Sequence, residues 1–247
     1  MMNRTLFNKA IYFYVGKLSL YLDLPDMFNF LLELEKDVRI LSGLEQKVKN
    51  VDFFKTKKWP HIFDLGLYRI TNYLLVRALK PKVFVETGVL HGLTSVFILS
   101  ALEKNGKGRL FSIDYPSYFE TGPVNQDGYQ DVLPPKKQPG WVVSSRLLKY
   151  WKLKLGKSVD VLPVIISKKQ PIDIFLHDSE HTYATMWSEF VFAWNRLRSG
   201  GVLMCDNLES NSSFFDFCSK VHRKPLLMPE IKCDDFTFPL RFGLIRK

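Results

Sequence analysis

A chain of 247 residues, 46% hydrophobic and 24% charged, can bury a core of its own, which excludes a disordered or low-complexity segment. The net charge of +10 suits nucleic acid, an acidic membrane surface or an anionic substrate, and equally none of these. Cys205, Cys218 and Cys233 lack metal-type spacing and fit a reducing, cytoplasmic setting, and no run reaches the roughly 20 apolar residues of a membrane span.

Residues 1 to about 60 read as an N-terminal helical extension without catalytic signal, ahead of a main domain over 61–247. Phe7, Tyr12, Phe13, Tyr14 and Tyr21 alternate with lysines there, which suits packing on the main domain or on a second subunit of a homo-oligomer. Peripheral contact with a membrane is the alternative. Pro25-Asp26 opens a helix in which Met27, Phe30, Leu31, Leu34, Val38 and Leu41 recur at helical spacing, and Gly43 ends it. A basic connector with Lys47, Lys49, Lys55, Lys57 and Lys58 follows, then an amphipathic helix over 65–79.

Val83 to Thr94 then reads as a buried strand, a turn on Gly88 and Gly92, and a helix start. Such a unit turns backbone N–H groups and the positive end of a helix toward a ligand. The helix runs from Thr94 to Glu103, and a second strand over 109–115 ends on Asp114. The segment 116–140 holds five prolines and is long and irregular, the habit of a substrate loop. A helix over 142–150, a third strand over 151–155, a fourth over 172–176, a helix over 183–198, a fifth strand over 202–205 and a final strand or hairpin over 238–245 complete the expectation.

Strands alternating with helices imply an α/β, Rossmann-like parallel sheet with helices on both faces, which binds ligands at the carboxyl ends of its strands. Glu86, Asp114, Asp178 and Asp206 each stand at such an end, so four acids form one polar rim. One acid after a strand is ordinary helix capping, whereas four at equivalent places point to a site. Asp114, 28 positions after Glu86, is placed to accept ribose hydroxyls. The Gly88-x-x-x-Gly92 turn is not a pyrophosphate cradle, and Glu86 would repel a diphosphate while attracting an ammonium group.

Glu86-Thr87-Gly88-x-x-x-Gly92-x-Thr94, Asp114, Gly140-Trp141, the run from Trp151 to Ser158 and the run from Ile172 to Tyr183 resemble the class I S-adenosylmethionine-dependent methyltransferases, in the branch with small-molecule and sugar O-methyltransferases. The resemblance covers residues from about Lys80 to the end. It implies a seven-stranded, mostly parallel sheet whose last strand is antiparallel, with S-adenosylmethionine held by Glu86, Gly88, Gly92, Thr94, Asp114, Ser158 and Asp178. Gly201-Val-Leu-Met-Cys-Asp206-Asn207 is similar to the metal motif of catechol-type O-methyltransferases, which implies Mg²⁺ on Asp178, Asp206 and Asn207. Helix capping by Asp178 and Asp206 is the competing reading. His181 takes the place of a catalytic lysine in those enzymes and, with Asp178, is the expected catalytic pair; its ordinary pKa of about 6.5 suits a general base. The implied reaction is methyl transfer to a hydroxyl of a small molecule or sugar. An RNA methyltransferase, a catalytically silent binding protein and a nicotinamide dehydrogenase are the alternatives.

Overall fold

The computed structural model describes residues 9–37, 40, 43–44, 47, 66–115, 117–118, 132–134, 136–167, 169–231 and 237–247. The expected strand or hairpin over 238–245 lies within β9, while most of the basic connector and of the 116–140 loop, and the domain boundary near residue 60, lie outside the described residues.

Among the described residues, three helices with defined bounds precede the first strand: α1 (Lys9–Leu22), α2 (Met27–Lys36) and α3 (Leu67–Leu79). The core then alternates β1 (Val83–Thr87), α4 (Leu93–Asn105), β2 (Arg109–Asp114), a short pair β3 (Ser117–Tyr118) and β4 (Val132–Leu133), β5 (Trp151–Leu155), α5 (Ser158–Ile165), β6 (Ile172–His177), α6 (Tyr183–Arg196) and β7 (Leu197–Cys205). It closes with α7 (Ser213–Lys220), β8 (Leu226–Ile231) and β9 (Thr237–Arg246). Seven strands make one sheet in the order β5-β2-β1-β6-β7-β9-β8. Pairs from β5 to β7 are parallel, and β9 runs antiparallel to both β7 and β8. The order reverses at β1, so β1 and β6 border the crevice where such sheets take ligands.

Alternation along the strands sorts side chains to two faces. Phe84, Leu110, Ile174, Leu176, Val202 and Met204 join a core with α3 and α4, while Val85, Phe111, Phe175, Leu203 and Cys205 join a second core with α6 and α7. The first core continues into the N-terminal helices through the fully buried Ile11, Val15, Leu18, Leu22, Met27 and Leu31. α1 is also tied down by polar contacts: the Tyr21 hydroxyl donates to the Lys224 carbonyl at 2.7 Å, and Arg246 Nη1 donates to the Leu22 carbonyl at 2.5 Å.

The structure departs from the sequence expectation in six places. The helix expected to run to Leu41 leaves its regular span at Lys36, with Asp37 as its C-cap. The one expected over 142–150 is a single 3₁₀ stretch, Ser145–Tyr150. α6 stops at Arg196 because Leu197 is already paired with Ile172 in the sheet. α5 and α7 were not foreseen. α5 carries β-branched residues and Pro163, yet Leu162 and Ile166 have a core to enter. β8 was not foreseen either, since its Pro229 reads as a strand breaker; it lies at the sheet edge, where proline is tolerated.

Candidate functional site at the carboxyl edge of the sheet

The turn after β1 is held from several sides. Asp114 Oδ2 accepts the N–H groups of both Val89 and Leu90 at 2.7 Å, so the acid at the end of β2 fixes the backbone of the Gly88–Gly92 turn. The Gly88 N–H donates to the Ile113 carbonyl at 2.9 Å. Gly88 adopts φ +84°, and a Cβ there would overlap the Asp178 carbonyl oxygen. Gly92, at φ +87°, is the N-cap of α4, and a Cβ there would lie 2.6 Å from the Gly140 Cα. Both glycines are thus required by protein backbone that crosses close to the turn, from the end of β6 and from the loop before the 3₁₀ stretch. Thr94 is the second residue of α4 and is half-buried.

Glu86 corrects an expectation. It does not face the crevice but lies 1% exposed beneath the sheet edge, where its Oε2 accepts the hydroxyls of Ser95 and Ser112 at 2.7 Å. Strand alternation explains this, because Glu86 falls on the same face as Phe84, toward α4. Burial raises its pKa to about 7 against the pull of the two serine hydroxyls. The Trp151 indole N–H also donates to Ser112, at 2.8 Å, and extends the cluster to β5.

The second part of the rim lies across β6 and β7. Asp178 is linked to β1 through its own N–H, which donates to Thr87 O at 2.9 Å, and Asp206 is linked to β6 through its N–H to His177 O at 3.0 Å. Neither caps a helix: Thr182 caps α6 by accepting the Thr185 N–H, and Ser212 precedes α7. The capping explanation of these two acids therefore falls away. Asp178 Oδ2 accepts the hydroxyl of Tyr68 on α3 at 3.0 Å. Burial, then the charge of Asp206, pushes the Asp178 carboxyl well above the usual carboxylate range. Burial also raises Asp206, against the opposing charge of Arg241. Arg241 Nε stands 3.6 Å from Asp206 Oδ1, and its other arm binds Glu209. Asp206 Oδ1 is buried and accepts no hydrogen bond among the described residues. Asn207, beside it, is buried with φ +52°.

Under this rim sits a buried polar hub that the sequence reading missed. Glu189 on α6 is fully buried and binds Thr87 Oγ1 at 2.6 Å, His177 Nδ1 at 2.7 Å and the Ser179 hydroxyl at 2.8 Å. Ser158, at the start of α5, donates to it as well. Burial alone would raise the Glu189 pKa, but the His177 charge and these donors hold it below the ordinary value. One carboxylate thus orients the ends of β1 and β6 and the start of α5, including Ser158, which was expected at an adenine. The His181 ring packs edge-on against His177 at 5.3 Å between centroids, and its backbone carbonyl accepts Asn211 Nδ2 at 2.8 Å.

The sequence reading did not place Tyr68, Glu189 or Arg241 in the site. Glu189 had a signal: it stands in the buried stripe Met186–Phe190–Ala193 of α6, where a lone acid is out of place. Tyr68 and Arg241 had none, since they reach the rim only through the tertiary fold.

Comparisons with known proteins bear on the fold and the family. A family described as "Methyltransferase domain" matches residues 85–208. Among solved structures, an O-methyltransferase from Bacillus cereus in complex with SAH is 13% identical, with 85% of this chain and 91% of that one covered and a TM-score of 0.54. The O-methyltransferase TomG from Streptomyces achromogenes, in complex with SAM, is 16% identical over 100% of this chain and 99% of that one, TM-score 0.52. The SAH-bound methyltransferase PaMTH1 from Podospora anserina is 14% identical over 97% and 96%, TM-score 0.51. No curated protein sequence matches the chain. The family match spans half of the chain and takes in Glu86, Gly88, Gly92, Asp114, Ser158, Asp178, His181, Asp206 and Asn207, and the chain belongs to the methyltransferase-domain family.

Proposed function

We propose that this methyltransferase uses S-adenosylmethionine to methylate a hydroxyl oxygen of a small molecule or sugar. The observation that carries the reading is the double acceptance of Val89 and Leu90 N–H by Asp114, which shapes the turn at the switch point of the sheet. The cofactor would lie over Gly88–Gly92, with its ribose at Asp114 and its sulfonium methyl toward Asp178. That reading has support from the SAM and SAH complexes of the O-methyltransferases that share the fold. The roles of Ser158 and Glu86 are then indirect: they hold the walls through Glu189 and through Ser95 and Ser112.

In the reaction the acceptor oxygen attacks the methyl carbon in line, the carbon–sulfur bond breaks, S-adenosylhomocysteine leaves, and the hydroxyl proton passes to a base. Holding the two partners in line supplies much of the rate. His181 is the base in this reading, with Asp178 orienting the acceptor hydroxyl. The hard oxygens of Asp178, Asp206 and Asn207 suit a divalent cation such as Mg²⁺, and the buried Oδ1 of Asp206, which accepts no hydrogen bond among the described residues and faces Arg241 Nε at 3.6 Å, supports that reading. When bound, such a cation would make the acceptor hydroxyl more acidic.

Calorimetry with S-adenosylmethionine and S-adenosylhomocysteine tests the proposal, with and without Mg²⁺. Both cofactors are expected to bind, and Asp114→Ala is expected to weaken them by about 10- to 100-fold, the loss of a charged hydrogen-bonding group from a binding site. Absence of binding by the unaltered chain under either condition refutes the reading.

A further inference from the structure

Methyl transfer leaves the outward side of α1 without a role. The inward side is spent on the core through Ile11, Val15, Leu18 and Leu22. On the opposite side Lys9, Phe13, Lys17 and Leu20 follow one another at spacings of four, four and three, and so form one stripe. Phe13 is 59% exposed and Leu20 85%. Phe28 and Leu32 of α2, 39% and 43% exposed, extend the apolar surface, and the two helices meet where Gly16 lies against the Phe28 ring. Lys17 Nζ stands 4.8 Å from the centre of the Phe13 ring and 5.2 Å from that of Tyr14.

The charge of α1 itself is one-sided, while Asp23 and Asp26 stand exposed at its far end. α1 contains Lys9 and Lys17 and no acid. On α2, Glu33 is engaged by Arg77 and Lys104, and Glu35 accepts the Tyr12 hydroxyl. The whole chain carries +10.

We infer that α1 and the start of α2 dock the protein on an anionic lipid surface. Phe13, Leu20, Phe28 and Leu32 enter the boundary between headgroups and acyl chains, and Lys9 and Lys17 stay at the phosphates. No helix among the described residues is long and apolar enough to cross the bilayer, so the contact is peripheral and reversible. A second copy of the chain is the rival occupant, and the measurements below separate it from lipid.

Sedimentation of the full chain with vesicles of phosphatidylcholine, with and without phosphatidylserine, tests this. Binding is expected to the phosphatidylserine vesicles, weakening as salt rises. Phe13→Ser and Leu20→Ser are each expected to reduce it about tenfold, and Lys9→Glu and Lys17→Glu by at least about fivefold each. These side chains are exposed, so thermal stability and cofactor binding are expected to match the unaltered chain and keep a folding defect distinct. The inference is overturned if phosphatidylserine vesicles do not bind the protein, or if binding is equal without phosphatidylserine. It is overturned equally if the four variants bind as before, or if light scattering finds a dimer that Leu20→Ser separates.

Discussion

Glu86 carries its acid inside the protein, and the consequence is a pH dependence of stability. Its pKa rises from 4.5 to about 7 on folding, because burial penalises the charged form. Between those values the folded state holds a proton that the unfolded state has lost. The contribution is therefore complete below about 4.5 and disappears as pH climbs through about 7, to a cost of about 3 kcal/mol above it. His91 works the other way. Burial lowers its pKa to about 4 from 6.5, so stability from that site grows with pH across this interval. The raw profile is a sum, and the quantity to read is the difference made by one substitution. Glu86→Gln keeps an acceptor for Ser95 and Ser112 and removes the titration. Urea unfolding at pH 5 and pH 8 is expected to find the Gln variant close to the unaltered protein at pH 5 and more stable by about 3 kcal/mol at pH 8. An equal difference at both pH values overturns the assignment. The acid was legible in the sequence as a strand-end residue, but its direction was not. A one-residue alternation decides whether it meets a ligand or a serine pair, and the sequence places the strand end only to within a residue or two.

The β1–turn–α4 element shows which parts of a site a local pattern can reveal. Gly88 and Gly92 announced a turn, and the structure gives them φ values of +84° and +87°. The reason for glycine was not legible, because it comes from the Asp178 carbonyl 90 residues later and from Gly140 in another loop. Asp114 was legible as the acid ending β2; its grip on Val89 and Leu90 depends on the pairing of β1 with β2, Thr87 opposite Ile113. Hubs such as Glu189 belong to the same class of long-range arrangement. Gly88→Ala is the sharpest test at this scale. It combines a strained φ with an overlap against backbone that cannot rotate away, which is expected to cost about 2 to 4 kcal/mol. The separation of β1 from β6 it forces also disturbs Asp178. A lowered midpoint in thermal unfolding, together with weakened cofactor binding, is the expected pair of results. A variant as stable as the parent shows that the turn has room the geometry denies.

For the whole molecule the question is whether the N-terminal helices are an appendage or part of the fold. Sequence alone set residues 1–60 apart, since nothing there resembles the methyltransferase pattern. Packing argues for integration. Ile11, Val15, Leu18 and Leu22 are fully buried in the same core as Phe84, Leu176 and Met204 of the sheet. α1 rests on β8 as well as α2. The link continues to the rim: the Tyr68 N–H at the start of α3 donates to Glu230 on β8, and the Tyr68 hydroxyl reaches Asp178. Removing residues 1–24 would uncover the surfaces that these four side chains cover. At about 1.5 to 3 kcal/mol for each buried aliphatic side chain, the loss comes to roughly 6 to 12 kcal/mol, the size of a whole domain's stability. The truncated chain is therefore expected to lose its near-ultraviolet circular dichroism and to aggregate, whereas Leu20→Ser, which changes only the outward side of the same helix, leaves both unchanged. A truncated chain that unfolds cooperatively and still binds S-adenosylmethionine would make the extension an appendage after all, and the core would have to close beneath α1.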